Sequence, residues 1–103
     1  MTINLAKTEI IHFVGIGGIG MSGLALIMNG LGFNVQGSDL SSNKNIERLK
    51  KNKIRVFIGH KKKNISNSTI LVVSSAIDKK NIELNVARRK KLPIYLRGDM
   101  LAH

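Results

Sequence analysis

Cysteine and tryptophan are absent, proline occurs once, and aromatic residues make up only 4% of the 103 positions. Without thiols the chain forms no disulfide and offers no thiolate to a metal, which fits a reducing compartment. Acids are also scarce, six against seventeen bases, for a formal net charge of +11. The imbalance is not uniform: residues 1–43 hold one base and two acids, so the whole excess lies in residues 44–103. A basic surface raises the question of nucleic acid. The shortage of aromatics and the lack of any helix-turn-helix or zinc-finger spacing argue against it. Lys61-Lys62-Lys63 and Arg88-Arg89-Lys90-Lys91 fit exposed loop and helix-end positions. They read as a solvated basic face or, in the alternative, as attraction for a small anionic ligand. No nucleic-acid partner is expected.

Charge is missing altogether from Phe13 to Phe33, a membrane-like length. Seven glycines in that window argue against a transmembrane helix, because they cluster at Gly15 to Gly20 and again at Gly30 and Gly32, as punctuation between soluble elements. Met1 to Glu9 is polar, with no basic-then-apolar secretory pattern. The expectation is a cytoplasmic protein with no membrane partner. At this length one compact domain is expected, burying roughly 60 to 70% of the surface its unfolded chain exposes.

What is present centres on Gly15-Ile16-Gly17-Gly18-Ile19-Gly20, between the apolar runs Ile10 to Val14 and Met21 to Leu31. Strand, turn and helix in that order place unpartnered N–H groups and the positive end of a helix dipole together, a setting for an anion, with a diphosphate the expected one. Gly15 is expected to allow the tight turn, Gly17 to let a pyrophosphate approach the backbone, and Gly20 to let helix and strand pack closely. Asp39 falls about where a ribose-binding acid is expected, or it caps the helix that follows; both roles can coexist. Ser22, in the first helical turn, can reach a phosphate oxygen or bond its own backbone.

The remaining elements follow in order. The helix from Gly20 to Leu31 places Met21, Leu24, Ala25, Met28 and Leu31 on one stripe, with Gly23 marking close backbone approach and Gly32 the C-cap. Asn34 to Gly37 is a short strand with Ser38-Asp39 as its exit. Ser41 to Asn52 is a surface helix with Ser42 as N-cap and Ile46 and Leu49 turned inward. Ile54 to Ile58 is a third strand ending at Gly59-His60, where His60 is placed for a ligand contact. Asn64 to Ser68 reads as loop, and Thr69 to Val73 as a buried strand running into Ser74-Ser75-Ala76-Ile77, whose hydroxyls bond phosphate or sugar oxygens or cap the next turn. Asn81 caps a helix with Glu83 in its first turn and Arg88 to Lys91 in its last, Pro93 to Leu96 is an edge strand, and Arg97 to His103 begins another segment. His12, inside the first strand, reads as a packed or hydrogen-bonded core residue. The sum is an α/β domain, a doubly wound, mainly parallel five-stranded sheet of Rossmann-like type. By these residues alone, an NAD-binding domain of a dehydrogenase or regulatory protein satisfies the glycine fingerprint as well as any other nucleotide site.

His12-Phe13-Val14-Gly15-Ile16-Gly17-Gly18-Ile19-Gly20-Met21-Ser22-Gly23, then Gly37-Ser38-Asp39, Gly59-His60, Val72-Val73-Ser74-Ser75-Ala76-Ile77 and Met100-Leu101-Ala102 together resemble the N-terminal domain of the L-alanine-adding Mur ligases. The resemblance covers nearly the whole chain, with the motifs in order. It implies residues 1–103 to be a single UDP-N-acetylmuramate-binding domain of a bacterial, cytoplasmic ligase of peptidoglycan synthesis. Such ligases join L-alanine to the sugar's lactyl carboxylate through an acyl phosphate made from ATP, with magnesium. The implied binding residues are Gly15, Gly17, Gly18, Ile19, Gly20, Met21 and Ser22 toward diphosphate and sugar, Asp39 toward the uridine end with Ser38 also in the substrate site, and His60, Ser74, Ser75 and Ala76 along other substrate edges. No G-x-x-x-x-G-K-[ST] loop occurs in the chain, and Gly98-Asp99 departs from the family's pattern. The expectation is therefore that ATP and magnesium are held by the ATPase and C-terminal domains of the same polypeptide. The first domain would supply no catalytic residue and no metal ligand.

Overall fold

The computed structural model describes residues 5–101. Elements alternate as β1 (Ile10–Val14), α1 (Ile19–Gly30), β2 (Asn34–Asp39), α2 (Lys44–Lys51), β3 (Arg55–Ile58), a 3₁₀ turn (Lys62–Ile65), β4 (Ile70–Val73), α3 (Ile82–Arg89), β5 (Ile94–Leu96) and α4 (Arg97–Leu101). The five strands form one sheet in the order β3-β2-β1-β4-β5, and every pair is parallel. The chain leaves β1 toward one edge and resumes at β4 toward the other, so the switch point lies between the carboxyl ends of β1 and β4. Residues 1–4, Ala102 and His103 lie outside the described residues, the last two belonging to the segment expected from Arg97 onward.

β1 is covered on both faces, as its unbroken apolar run requires. Ile11 and Phe13 join Ile16, Met21, Leu24, Ala25, Met28, Leu49 and Met100 in one core, beneath α1. Val14 joins Leu71, Val73, Leu84, Val86, Ala87 and Ile65 in the other, beneath α3 and the 3₁₀ turn. His12 shares a face with Val14, and the register His12 to Gln36 and Val14 to Ser38 puts all four side chains on the α3 side.

Several local expectations need correction. Asn43, not Ser42, caps α2, its side chain accepting from the Ile46 N–H at 2.9 Å; Ile46 and Leu49 are buried as expected. Leu31 is exposed, because α1 ends at Gly30 in a Schellman motif. Phe33 N–H reaches Met28 O, Gly32 N–H reaches Asn29 O, and Gly32 takes φ +93°. The same pair of bonds closes α2 and α3, with Lys53 and Lys91 in the left-handed position at φ 63° and 59°. Lys91 thus lies beyond the last turn of α3 instead of in it. Asn64 to Ser68 is loop only in part: Asn64 and Ile65 belong to the 3₁₀ turn, and Asn64, Ile65 and Ser68 are buried.

Gly23 marks no close approach, since a Cβ there would meet nothing within 4 Å. Glycine in a helix interior without a packing reason costs about 1 kcal/mol relative to alanine. Gly23→Ala is therefore expected to stabilise the domain by roughly that amount, read as a rise in the urea midpoint at unchanged slope. The close approach is at Gly37 in β2, where a Cβ would stand 2.5 Å from Ile16 Cδ1 and 2.7 Å from Phe13 O.

Candidate functional site

The carboxyl ends of the strands gather the glycine loop after β1, Asp39 at the end of β2, Gly59-His60 after β3, Ser74-Ser75-Ala76 after β4 and Arg97 after β5. Gly15 turns the chain at φ +83°, a conformation L side chains rarely adopt, and its N–H and that of Ile16 both donate to Ser38 O, at 2.8 and 3.0 Å. Gly18 N–H donates to Gly15 O at 3.3 Å, and Gly17 N–H to Asp39 Oδ2 at 2.8 Å. Four of the loop's amides are thus used inside the protein. The first intrahelical bond of α1 is Ser22 N–H to Gly18 O, and the N-cap Gly18 supplies no side-chain partner. The N–H groups of Ile19, Gly20 and Met21 are left with no partner among the described residues. Those three are the donors the loop presents, together with the positive end of α1.

Two glycines serve purposes inside the fold that the sequence does not show. A Cβ on Gly17 would lie 2.7 Å from Asp39 Oδ2, 2.9 Å from Ile46 Cδ1 and 3.0 Å from Asn43 Nδ2, so the first obstacle to a side chain is the protein itself. The Gly17 carbonyl is also claimed, accepting from Asn43 and Asn45 at 3.1 and 2.9 Å. Gly20 does not bring helix and strand together. A Cβ there would meet the Arg97 side chain, 2.9 Å from Nε and 3.0 Å from Cζ. Arg97 thus rests against the opening turn of α1 with no hydrogen-bond or ion-pair partner among the described residues, a cation held where the helix is already positive. That arrangement is relieved by an anion. Nothing in the sequence separated Arg97 from the other bases of the second half.

Asp39 is where the strand pattern put it, but both its oxygens accept backbone bonds, Oδ2 from Gly17 and Oδ1 from Leu40 at 2.8 Å. Its first task is to hold the loop. Ser22 is buried and its hydroxyl donates to Ile19 O at 3.2 Å. Met21 buries its side chain in the core and offers the rim only its N–H. Ser75 and Ala76 are exposed, while Ser74 Oγ accepts from Ala76 N–H at 3.3 Å. Ser74 and Ser75 line one side of a cleft of about 260 Å³ whose other side is Leu96, Arg97, Gly98 and Asp99. Ile19, Leu40, Ile58 and Leu96 are large apolar side chains exposed around this rim.

Beneath the rim lies a polar cluster whose centre, Glu83, reads in sequence only as a helix-dipole complement. Glu83 is fully buried in the first turn of α3, where Asn81 caps the helix by accepting from the Glu83 and Leu84 N–H groups. Its Oε1 accepts from His12 Nε2 at 2.7 Å and Ser38 Oγ at 2.6 Å. Its Oε2 accepts from Asn64 Nδ2 at 2.7 Å and Lys61 N–H at 3.1 Å. Gln36 Nε2 donates to Asn64 O at 2.8 Å and faces His12 Nδ1 at 2.7 Å, so Nδ1 is the acceptor and Nε2 carries the proton toward Glu83. His12 is thus the hydrogen-bonded core histidine its position suggested. Every neighbour of the carboxylate is a donor.

Burial alone would raise the Glu83 pKa; the hydrogen bond and electrostatic attraction from His12, with hydrogen bonds from Ser38 and Asn64, outweigh it and hold the group at about 2. With the folded value below the ordinary 4.5, the unfolded chain takes up the proton first as pH falls. Stability from this group is therefore complete above pH ~5 and is lost as pH falls toward 2, a loss of about 3 kcal/mol for Glu83 alone. Denaturant midpoints measured between neutrality and pH 3 are expected to fall steeply below pH 5. A flat profile would mean that Glu83 binds its proton equally well in the folded and the unfolded chain.

No group of three or more His, Cys, Asp or Glu side chains able to hold a metal occurs among the described residues. Glu83 and Asp39 already accept from the protein, so these residues do not fit magnesium, and no step is assigned to a metal on this chain. No described helix is long and apolar enough to cross a membrane.

A fully parallel, doubly wound sheet with a glycine loop opening a helix at its switch point defines an α/β domain of the nucleotide-binding type. Comparison with known proteins specifies it further. Residues 10–103 match the model described as Mur ligase family, catalytic domain, and the chain belongs to that family. It is 70% identical over its whole length to a UDP-N-acetylmuramate--L-alanine ligase of Pelagibacter ubique, covering 22% of that protein. It is 56% identical over 92 residues to the ligase of the same name from Azorhizobium caulinodans, covering 20% of it. Its fold superposes with TM-score 0.86 on the crystal structure of UDP-N-acetylmuramate-alanine ligase MurC from Thermotoga maritima, at 35% identity, over 89% of this chain and 21% of that one. The chain spans about a fifth of the length of these relatives and matches their N-terminal domain, and an NAD-binding dehydrogenase is not favoured.

Proposed function

We propose that this chain is the UDP-N-acetylmuramate-binding first domain of a ligase that joins L-alanine to that sugar nucleotide in bacterial cytoplasm. The observation that carries the reading is the opening turn of α1, where the N–H groups of Ile19, Gly20 and Met21 and the guanidinium of Arg97 converge without partners among the described residues. A diphosphate bridging them neutralises Arg97 and satisfies the helix end together. Asp39 and His60 then lie toward the nucleoside, with Ser38 buried beneath His60, and Ser74, Ser75 and Ala76 toward the remaining substrate edge. The chain's own contribution is to bind and orient the sugar nucleotide, which fixes where its lactyl carboxylate points. Activation of that carboxylate as an acyl phosphate draws on ATP and magnesium held by the other domains of the polypeptide. Ile19, Leu40, Ile58 and Leu96, exposed around the rim, suit burial against those domains.

The test is a thermal-shift comparison. UDP-N-acetylmuramate at a hundred times its dissociation constant is expected to stabilise the chain by about 2.7 kcal/mol, with NADH giving no shift. Stabilisation by NADH alone would overturn the proposal, as would ATP turnover by the pure chain in the presence of L-alanine.

A further inference from the structure

The cluster around Glu83 dictates which nitrogen of His60 holds the ring proton. Ser38 is fully buried between Glu83 and His60, and its Oγ stands 2.6 Å from Glu83 Oε1 and 2.8 Å from His60 Nδ1. A hydroxyl has one hydrogen, and an ionised carboxylate only accepts, so the Ser38 proton is committed to Glu83. Toward His60 the serine oxygen is then an acceptor, and Nδ1 must be the donor. In a neutral imidazole the other nitrogen is an acceptor. Nε2 of His60 has no hydrogen-bond partner among the described residues, and none of the buried side-chain nitrogens or oxygens there is left unpaired. Nε2 therefore reaches the surface, on a ring 12% exposed. The residue before His60 is fixed to the rim as well, because Gly59 N–H donates to Asp39 O at 2.7 Å and Asn64 Nδ2 donates to Gly59 O at 2.9 Å.

We infer that His60 is a specificity-determining residue of the proposed nucleotide site, offering Nε2 as a hydrogen-bond acceptor to a donor group of the nucleoside, with Ser38 and Glu83 as the positioning residues that fix its tautomer. The inference rests on the sugar-nucleotide reading above. It adds a polarity: a ligand presenting only acceptors at this point leaves Nε2 unpaired, whereas a ribose hydroxyl or the uracil imide N–H is matched.

The experiment is long-range ¹H–¹⁵N correlation on the ¹⁵N-labelled 103-residue chain at mildly alkaline pH. The free chain is expected to show His60 as the Nδ1–H tautomer. UDP-N-acetylmuramate is expected to move the Nε2 resonance upfield, as acceptance of a hydrogen bond does, while shifting the amides of Ile19, Gly20 and Met21. The 2′-deoxy and N3-methyl analogues identify the donor, since the one lacking it binds about tenfold more weakly and leaves Nε2 unmoved. Ser38→Ala, if folded, is expected to lose the single tautomer and a similar factor in affinity; the measurement on the unaltered chain stands whether or not that variant folds. An Nε2–H tautomer in the free chain overturns the inference. So does an unmoved Nε2 resonance when the loop amides report bound ligand, and that outcome leaves the proposed function intact. If neither loop amides nor His60 respond to the sugar nucleotide, the proposed function fails and the inference with it.

Discussion

Glu83→Ala is expected to destabilise this domain by about 3 to 5 kcal/mol, the range for removing one partner of a buried, hydrogen-bonded charge cluster. The loss arises less from the carboxylate than from what it leaves behind. His12 Nε2, Ser38 Oγ, Asn64 Nδ2 and the Lys61 N–H all point at the vacated position from a site with no exposure to water. For a chain of this size, 1 kcal/mol shifts the melting temperature by roughly 4 to 8 °C, so the variant melts at least about 12 °C lower and approaches the limit of a typical domain's total stability. Glu47→Ala is the control. Glu47 also lies in the first turn of a helix, but it is exposed, and its removal is expected to change stability by no more than about 0.5 kcal/mol. A loss at Glu83 below about 1 kcal/mol would show that the cluster does not hold the fold together. Glutamine is no rescue, because its amide would face donors whichever way it turned.

Gly17→Val is expected to have the largest effect on ligand binding. Gly17 does not take a positive φ, so the obstacle is contact: the new Cβ would stand 2.7 Å from Asp39 Oδ2 and 2.9 Å from Ile46 Cδ1. The carboxylate must withdraw, Gly17 N–H loses its acceptor, and the loop shifts against the start of α1. Overpacking of this kind costs about 1 to 3 kcal/mol of stability. UDP-N-acetylmuramate affinity is expected to fall at least about tenfold, 1.4 kcal/mol, measured by calorimetry on protein confirmed to be folded. Unchanged affinity in a folded variant would contradict the assignment of the loop.

These two residues also mark where the sequence was legible and where it was not. The glycine spacing identified the loop, and the run Ile10 to Val14 gave β1 its bounds, because both are local patterns in which backbone conformation and strand burial are written in adjacent residues. What Gly17 touches was not written there. Asp39, Asn43 and Ile46 arrive from β2, from the α2 cap and from α2 itself, and only the packed domain shows that the acid expected at a ribose first braces the loop. Glu83 was hidden for the same reason. In the first turn of α3 a glutamate has a sufficient local explanation, and its partner His12 is 71 positions away. The signal that pointed to it was the histidine inside an apolar strand, a buried polar ring that must find a partner. Buried Asn64 and Ser68, in a stretch of polar composition, and Arg97, one base among many, carried no such signal.

The most direct test of the central claim is a titration of the ¹⁵N-labelled chain with UDP-N-acetylmuramate, following backbone amides. The account predicts that the Ile19, Gly20 and Met21 amides move farthest and saturate together, and that Arg97→Ala weakens the response while those amides still move. Saturable binding that leaves these three amides in place and perturbs another face of the domain would contradict it.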